Sequence, residues 1–349
     1  MFQIGSRQLG EDWPVFIIAE LSGNHGGDIE RAKNIIIEAA DSGVDAVKLQ
    51  TYTADTITID SDSPEFIVRG GKLWEGRRLY DLYAEAFTPW EWHAELFEFA
   101  RSLGLEAFSS PFDKTAVDFL EELEVPAYKI ASFELIDLPL IRYVASKGKP
   151  MIMSTGMATK EEILEAVAAA KEGGCEEIAL LRCNSAYPAP MGEMDLRTIP
   201  DMRESFGVPV GLSDHTLGVN AAISAVSLGG CIIEKHLCLS RSDPGPDSKF
   251  SLEPNEMQAL VQGVRDVQDS LGGVRYGPSS GEEHNLQYRR SIYAVEDIPD
   301  GGAITEENVR SIRPGLGLHP KFIDSVIGMA SSRFIPAGTA LSWEDLKEK

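Results

Sequence analysis

Six polar or charged side chains, Glu20, Lys48, Lys129, Ser154, His215 and His236, fall at the carboxyl ends of short apolar runs. Two imidazoles with a carboxylate nearby suit a divalent cation that keeps positions open for water and substrate. The competing reading is two histidines that only hydrogen-bond. Lys48 and Lys129 point to an anion, because a lysine inside a fold with nothing to neutralise it is costly. Ser109, Ser110, Ser132, Ser154 and Ser185 would extend that site into a ring of hydroxyl donors for phosphate or carboxylate. Lys235 lies close by in sequence and reads as part of the same basic patch. The patch stands out because the formal net charge is −23. Such a charge argues against nucleic acid and anionic membranes as partners, since both require a positive surface field.

The elements that must position these residues are the apolar runs Val15–Leu21, Ala46–Thr51, Glu106–Pro111, Ala127–Ser132, Pro150–Thr155, Ile178–Cys183, Pro209–Asp214 and Cys231–His236, with helical patterns between most of them. Eight strands alternating with helices imply an α/β fold, a (β/α)8 TIM barrel. The stretch up to Gly272 is close to the roughly 250 residues that one barrel needs. Alternation then assigns faces: Lys48 with Gln50, Glu234 with His236, and Ser213 with His215 point inward or over the rim. Because the eighth strand closes against the first, His215, His236 and Glu20 are expected to converge. Thr88-Pro89-Trp90-Glu91 and Thr159-Lys160-Glu161-Glu162 read as capping boxes that open outer helices, and Asp28–Ser42 is a third helix ended by Gly43.

Tyr52–Phe87 is too long for an ordinary connection and reads as an excursion or lid facing the substrate. His25, in Asn24-His25-Gly26-Gly27-Asp28, could contact substrate or only brace its loop. After a Gly/Ser/Pro-rich stretch near Gly272–Gly281, Ile298-Pro299-Asp300-Gly301 recurs as Ile335-Pro336-Ala337-Gly338. Each copy is too short to bury a core alone, so the two should form one small pseudo-twofold domain. The expected division is a barrel over 1–272, a linker over 273–288 and a small domain over 289–349. The four cysteines have no CxxC spacing, the start lacks the apolar core of a signal peptide, and no run approaches a membrane span, so a cytoplasmic location is expected. No GxSxG elbow, dinucleotide fingerprint or HxH pair on the first strand appears.

The segments IAELSGNHGGD, DAVKLQTY, SSPFD, YKIASFE, STGM, YPAP, GLSDHT, IEKH and GPDSKFSL, in this order, resemble the sialic acid synthase family. The tail RRSIYAVEDIPDGGAITEENVRSIRPGLGL is similar to the antifreeze-like (SAF) domain of those enzymes. KLQTYTADTIT, LYDLYAEAFTPWEW and ASFELIDLPLI look closest to the branch that makes pseudaminic acid rather than N-acetylneuraminate or legionaminic acid. The resemblance implies condensation of phosphoenolpyruvate with an acylamino sugar, with His215 and His236 on a divalent metal, Mn2+ or Mg2+. It implies that Lys48, Lys129, Ser132, Ser154, Ser185 and Ser213 surround phosphoenolpyruvate, that Glu20 moves a proton, and that Glu134, Tyr187 and Asp247 reach the sugar. Arg313 would come from the tail of the other subunit in a domain-swapped homodimer. A metal-dependent barrel aldolase is the more distant alternative; it would not need the lysine and serine ring.

Overall fold

The computed structural model describes residues 2–70, 73–243 and 245–348. After a hairpin of β1 (Phe2–Ile4) and β2 (Arg7–Leu9), the apolar runs become β3 (Phe16–Glu20), β4 (Ala46–Thr51), β5 (Glu106–Pro111), β6 (Tyr128–Ile130), β7 (Met151–Ser154), β8 (Ile178–Cys183), β9 (Val210–Asp214) and β10 (Ile232–His236). They pair in parallel in that order, and β10 closes on β3 to complete an eight-stranded barrel. Helices cover the outer face while side chains fill the lumen, so the strands are buried on both sides and read as unbroken apolar stretches. Register does the positioning: His236 pairs with Glu20, and Glu20 pairs with Lys48, which sets three chemically distinct side chains at one height.

The helix Ile29–Ser42 starts where the Asp28 carboxylate accepts the amides of Glu30 and Arg31 and stops at Gly43, whose φ of 83° favours glycine. Thr159 and Glu162 make both bonds of the expected capping box at Lys160–Glu172. Thr88 does not make one. A 3-10 turn at Trp90–Trp92 precedes the helix His93–Ser102, and the Thr88 hydroxyl lies 3.2 Å from His25 Nε2. A box needs a free hydroxyl, and this one is taken.

His93 is the other buried histidine of this layer. Its Nε2 is 2.8 Å from the Thr51 hydroxyl and its Nδ1 is 3.2 Å from the Pro89 carbonyl. Burial pushes its pKa down to about 4 from the ordinary 6.5. A depressed folded-state value stabilises the fold above pH 6.5, and that stability disappears as pH falls from 6.5 through 4. The linkage is worth roughly 3 kcal/mol. Urea unfolding of the wild type is expected to show that loss between pH 6.5 and 4, and His93→Asn to be shallower by that amount. Parallel pH profiles would sink the assignment.

The structure divides into two units between Gly272 and Gly273. In the second, β11 (Ser291–Ala294) pairs antiparallel with β12 (Val309–Ile312). The two Ile-Pro copies meet directly: the Ile298 amide donates to the Ile335 carbonyl at 2.8 Å and the reverse bond is 2.9 Å. Ile298 and Ile335 then sit together in a separate apolar core. Gly301 and Gly338 turn the chain at the same place in each copy, both at positive φ. Among the described residues no helix is long and apolar enough to cross a membrane.

Candidate active site

The carboxyl end of the lumen holds four alternating charges. Lys48 Nζ pairs with Glu20, donates to the Ser110 hydroxyl at 3.0 Å and lies 3.8 Å from Glu234 Oε2. Lys129 Nζ donates to Ser154 Oγ at 2.7 Å and to Glu234 Oε1 at 3.3 Å, and Ser213 Oγ donates to the same carboxylate oxygen at 3.0 Å. All four charged residues are buried. Burial raises the Glu20 carboxyl above its usual range, against the pull of Lys48. Burial likewise lowers the Lys129 ammonium. Glu234 also meets a burial penalty, but Lys129 and Lys48 together hold it below the ordinary carboxylate value. The network therefore sets its two carboxylates apart, with Glu20 raised by burial and Glu234 held down by two ammoniums.

Beside it stand the imidazoles. The His215 and His236 rings lie with centroids 5.4 Å apart, and the Phe250 ring packs 4.9 Å from His236. His215 Nδ1 donates to the Asn184 carbonyl at 2.9 Å, so Nε2 is the nitrogen left for a metal. Burial opposes the charged ring, but Cys183 and the Asn184 carbonyl raise its pKa above the ordinary value, so a cation there competes with a proton. Burial holds His236 well below its ordinary value, so its ring is neutral. His236 Nδ1 is buried without a hydrogen-bond partner among the described residues. Two adjacent rings, one offering Nε2 and the other an orphaned Nδ1, fit a divalent ion, although the described residues include no cluster of three or more His, Cys, Asp or Glu at ligand spacing.

A third wall is built from serines. The Gly156 amide donates to Ser132 Oγ at 3.1 Å. A Cβ on Gly156 would come within 2.2 Å of Ser185 Oγ and 2.8 Å of Ser132 Oγ, so only glycine leaves this cradle open. Glu134 has one buried oxygen without a hydrogen bond among the described residues, and burial pushes its pKa up to about 7. Asp247 accepts a hydrogen bond from Ser22 Oγ, and the Ser22 amide donates to Glu20 Oε1 at 2.9 Å. Tyr187 stacks obliquely on His215, with centroids 4.5 Å apart. The Tyr52–Phe87 excursion carries short helices at Ala54–Ile57 and Leu79–Ala86. It reaches this wall through Trp74, whose indole N–H donates to the Pro246 carbonyl at 3.0 Å and whose ring lies 5.4 Å from Tyr187.

Two sequence expectations change, and His25 takes the second of its two open readings. Ser109 faces away from Lys48: its hydroxyl bonds that of Thr51 at 2.6 Å, on the side of His93, while its neighbour Ser110 faces the lumen. Lys235 does not join the basic patch, because β10 alternates and its ammonium lies on the outer face, 2.7 Å from Asp214 Oδ2. His25 is engaged by its own loop at Nδ1, with the Gly27 amide, and by Thr88 at Nε2. The site also holds Glu234, to which the sequence reading gives an inward direction but no role, and Gly156, Phe250 and Cys183, which it does not assign to the site; the Cys183 sulfur lies 3.7 Å from His215 Nδ1. Strand parity is the signal that finds Glu234. Arg313 is exposed on the second unit.

The NeuB family pattern matches residues 35–276 and the SAF domain pattern matches residues 289–347. The chain is 45% identical to the pseudaminic acid synthase of Campylobacter jejuni, over 99% of this chain and 100% of the relative. It is 44% identical to the pseudaminic acid synthase of Helicobacter pylori, over 96% and 98% of the two chains. Among solved structures, the N-acetylneuraminic acid (sialic acid) synthetase of Leptospira borgpetersenii, in complex with citrate, aligns with a TM-score of 0.72 and 31% identity over 81% of this chain and 94% of that one. The family match runs through every barrel strand from β4 to β10, which carry all of the lumenal charges but Glu20, and the relatives extend it over nearly the whole sequence. The chain belongs to the NeuB family.

Proposed function

We propose that this chain is a pseudaminic acid synthase, which joins phosphoenolpyruvate to 2,4-diacetamido-2,4,6-trideoxy-L-altrose and releases phosphate. The observation that carries the donor is the buried pair Lys48 and Lys129, each bonded to a serine hydroxyl and interleaved with carboxylates. Such a site is electrically balanced by itself and can trade carboxylates for the donor's own anionic groups. Ser132, Ser154, Ser185 and Ser213 supply further donors at that rim. Relatives of nearly full length named for pseudaminic acid support the choice of sugar.

His215 and His236 would hold a divalent ion, Mn2+ or Mg2+, which when bound supplies a Lewis acid for the sugar aldehyde. The protein's residues do the rest. Lys48 and Lys129 fix the donor so that its terminal carbon faces the aldehyde. Glu20, kept protonated more readily by burial, delivers or takes a proton as the sugar opens or as water adds to the enol carbon. Glu134, raised to about 7 by burial, can donate a hydrogen bond to an acylamino or hydroxyl group, and Asp247, which accepts from Ser22, can accept one from the sugar. Trp74, Tyr187 and Phe250 form an aromatic wall that suits a deoxy carbon better than a hydroxylated one. Arg313 would act from the partner's tail in a domain-swapped homodimer, with residues 273–288 as the linker. The substrate and four free, buried cysteines fit a cytoplasmic enzyme.

The test is a panel of acylamino sugars with phosphoenolpyruvate and Mn2+, read by phosphate release and product mass. The trideoxy sugar is expected to exceed N-acetylmannosamine by about tenfold or more in kcat/KM. Equal or better turnover of N-acetylmannosamine overturns the sugar assignment. Turnover without phosphoenolpyruvate would favour an aldolase.

A further inference from the structure

Lys235 and Asp214 belong to neither the lumen nor the surface. They are paired in register on β10 and β9, and both side chains are fully enclosed, with 0% of each exposed. Lys235 Nζ donates to Asp214 Oδ2 at 2.7 Å and to the Thr216 carbonyl at 2.5 Å, while the Thr216 amide donates to Asp214 Oδ1 at 2.8 Å. These bonds close a loop around His215, which lies between Asp214 and Thr216, and anchor it to the residue immediately before His236. The Asn184 carbonyl tethers the His215 ring and the Ala189 amide donates to the His215 carbonyl at 3.0 Å, both from the side of β8. The knot at Lys235 supplies the matching restraint from the side of β10.

A buried ion pair is weak as a stabilising device, because desolvation offsets the attraction and apolar residues of the same size often serve as well. It is strong as a spacer: directional bonds on both sides of His215 admit one arrangement of the loop. We propose that Asp214 and Lys235 are positioning residues that set the distance between the two imidazoles, and so the affinity for the divalent ion. The inference rests on the metal reading of His215 and His236 given above.

The experiment uses full-length, metal-stripped protein and Mn2+ alone, with free Mn2+ followed by its paramagnetic resonance signal. Asp214→Leu/Lys235→Met replaces the pair by apolar side chains; it should unfold within a few degrees of the metal-free wild type and bind Mn2+ about tenfold more weakly. KM for phosphoenolpyruvate, which depends on Lys48 and Lys129, should stay within about twofold, whereas a purely structural role would move the unfolding midpoint and leave the affinity of folded protein alone. Asp214→Asn keeps the acceptor for the Thr216 amide and guards against a double variant that does not fold; it should weaken binding about threefold. His236→Ala separates the two readings. If the wild type fails to bind Mn2+, or His236→Ala binds as well as the wild type, the metal reading falls and the clamp with it. If His236→Ala loses binding while folded Asp214→Asn binds like the wild type, the clamp alone is overturned.

Discussion

Lys129→Met is expected to cut phosphoenolpyruvate-dependent phosphate release by about two to three orders of magnitude, the cost of removing one preorganised group from a water-poor site. Lys129 is 2% exposed, and its ammonium reaches both Ser154 and Glu234. In that setting its charge is screened little, so an anion beside it gains far more than it would in water. The loss should appear mainly in kcat/KM, because the donor must be held before anything reacts. Folding is the confounding factor, and the structure shows how to separate it. Without Lys129, Glu234 keeps Ser213 and a Lys48 ammonium 3.8 Å away, and is otherwise a buried carboxylate. Lys129→Met/Glu234→Gln removes that stranded charge; it should recover unfolding temperature without recovering activity. If either variant turned over within tenfold of the wild type, the donor site would have to be elsewhere.

Lys129 also marks how far the site is legible in the sequence. Its inward direction follows from the alternation of Tyr128-Lys129-Ile130 in a strand whose outer face packs on helices, and the same rule places Lys48, Glu234 and His236. The barrel is legible because both faces of each strand are buried and the runs are continuous. Neighbouring residues of similar chemistry are harder to assign. Ser109 and Ser110 carry no mark of direction; what separates them is Thr51 on the adjacent strand and His93 on a neighbouring helix, contacts between residues far apart in sequence. Lys235 groups with the other lysines by type, although its parity opposes that of Glu234 and His236. Thr88 reads as a cap because its local sequence fits one. Its partner, His25, lies 63 residues away.

Mixing two inactive variants, His236→Ala and Arg313→Ala, is expected to restore roughly a quarter of wild-type activity if tails act in trans in a homodimer. Half of the dimers formed at random are mixed, and each of those carries one barrel with intact imidazoles capped by one intact tail. Phe133, Ile136, Met157 and Leu217, on loops following β6, β7 and β9, are more than half exposed at the end of the barrel where the charges lie. Val274 and Tyr276, just past the division after Gly272, are 97% and 96% exposed. Apolar residues displayed in this way at the barrel rim and just after residue 272 favour association over solvation. A condensation that passes through a cationic enol carbon also needs water admitted in order, which a closing domain can arrange. If tails act in cis, every site in the mixture carries one defect. A mixture that stays inactive, with mixed dimers demonstrated by native mass spectrometry, excludes the swapped arrangement.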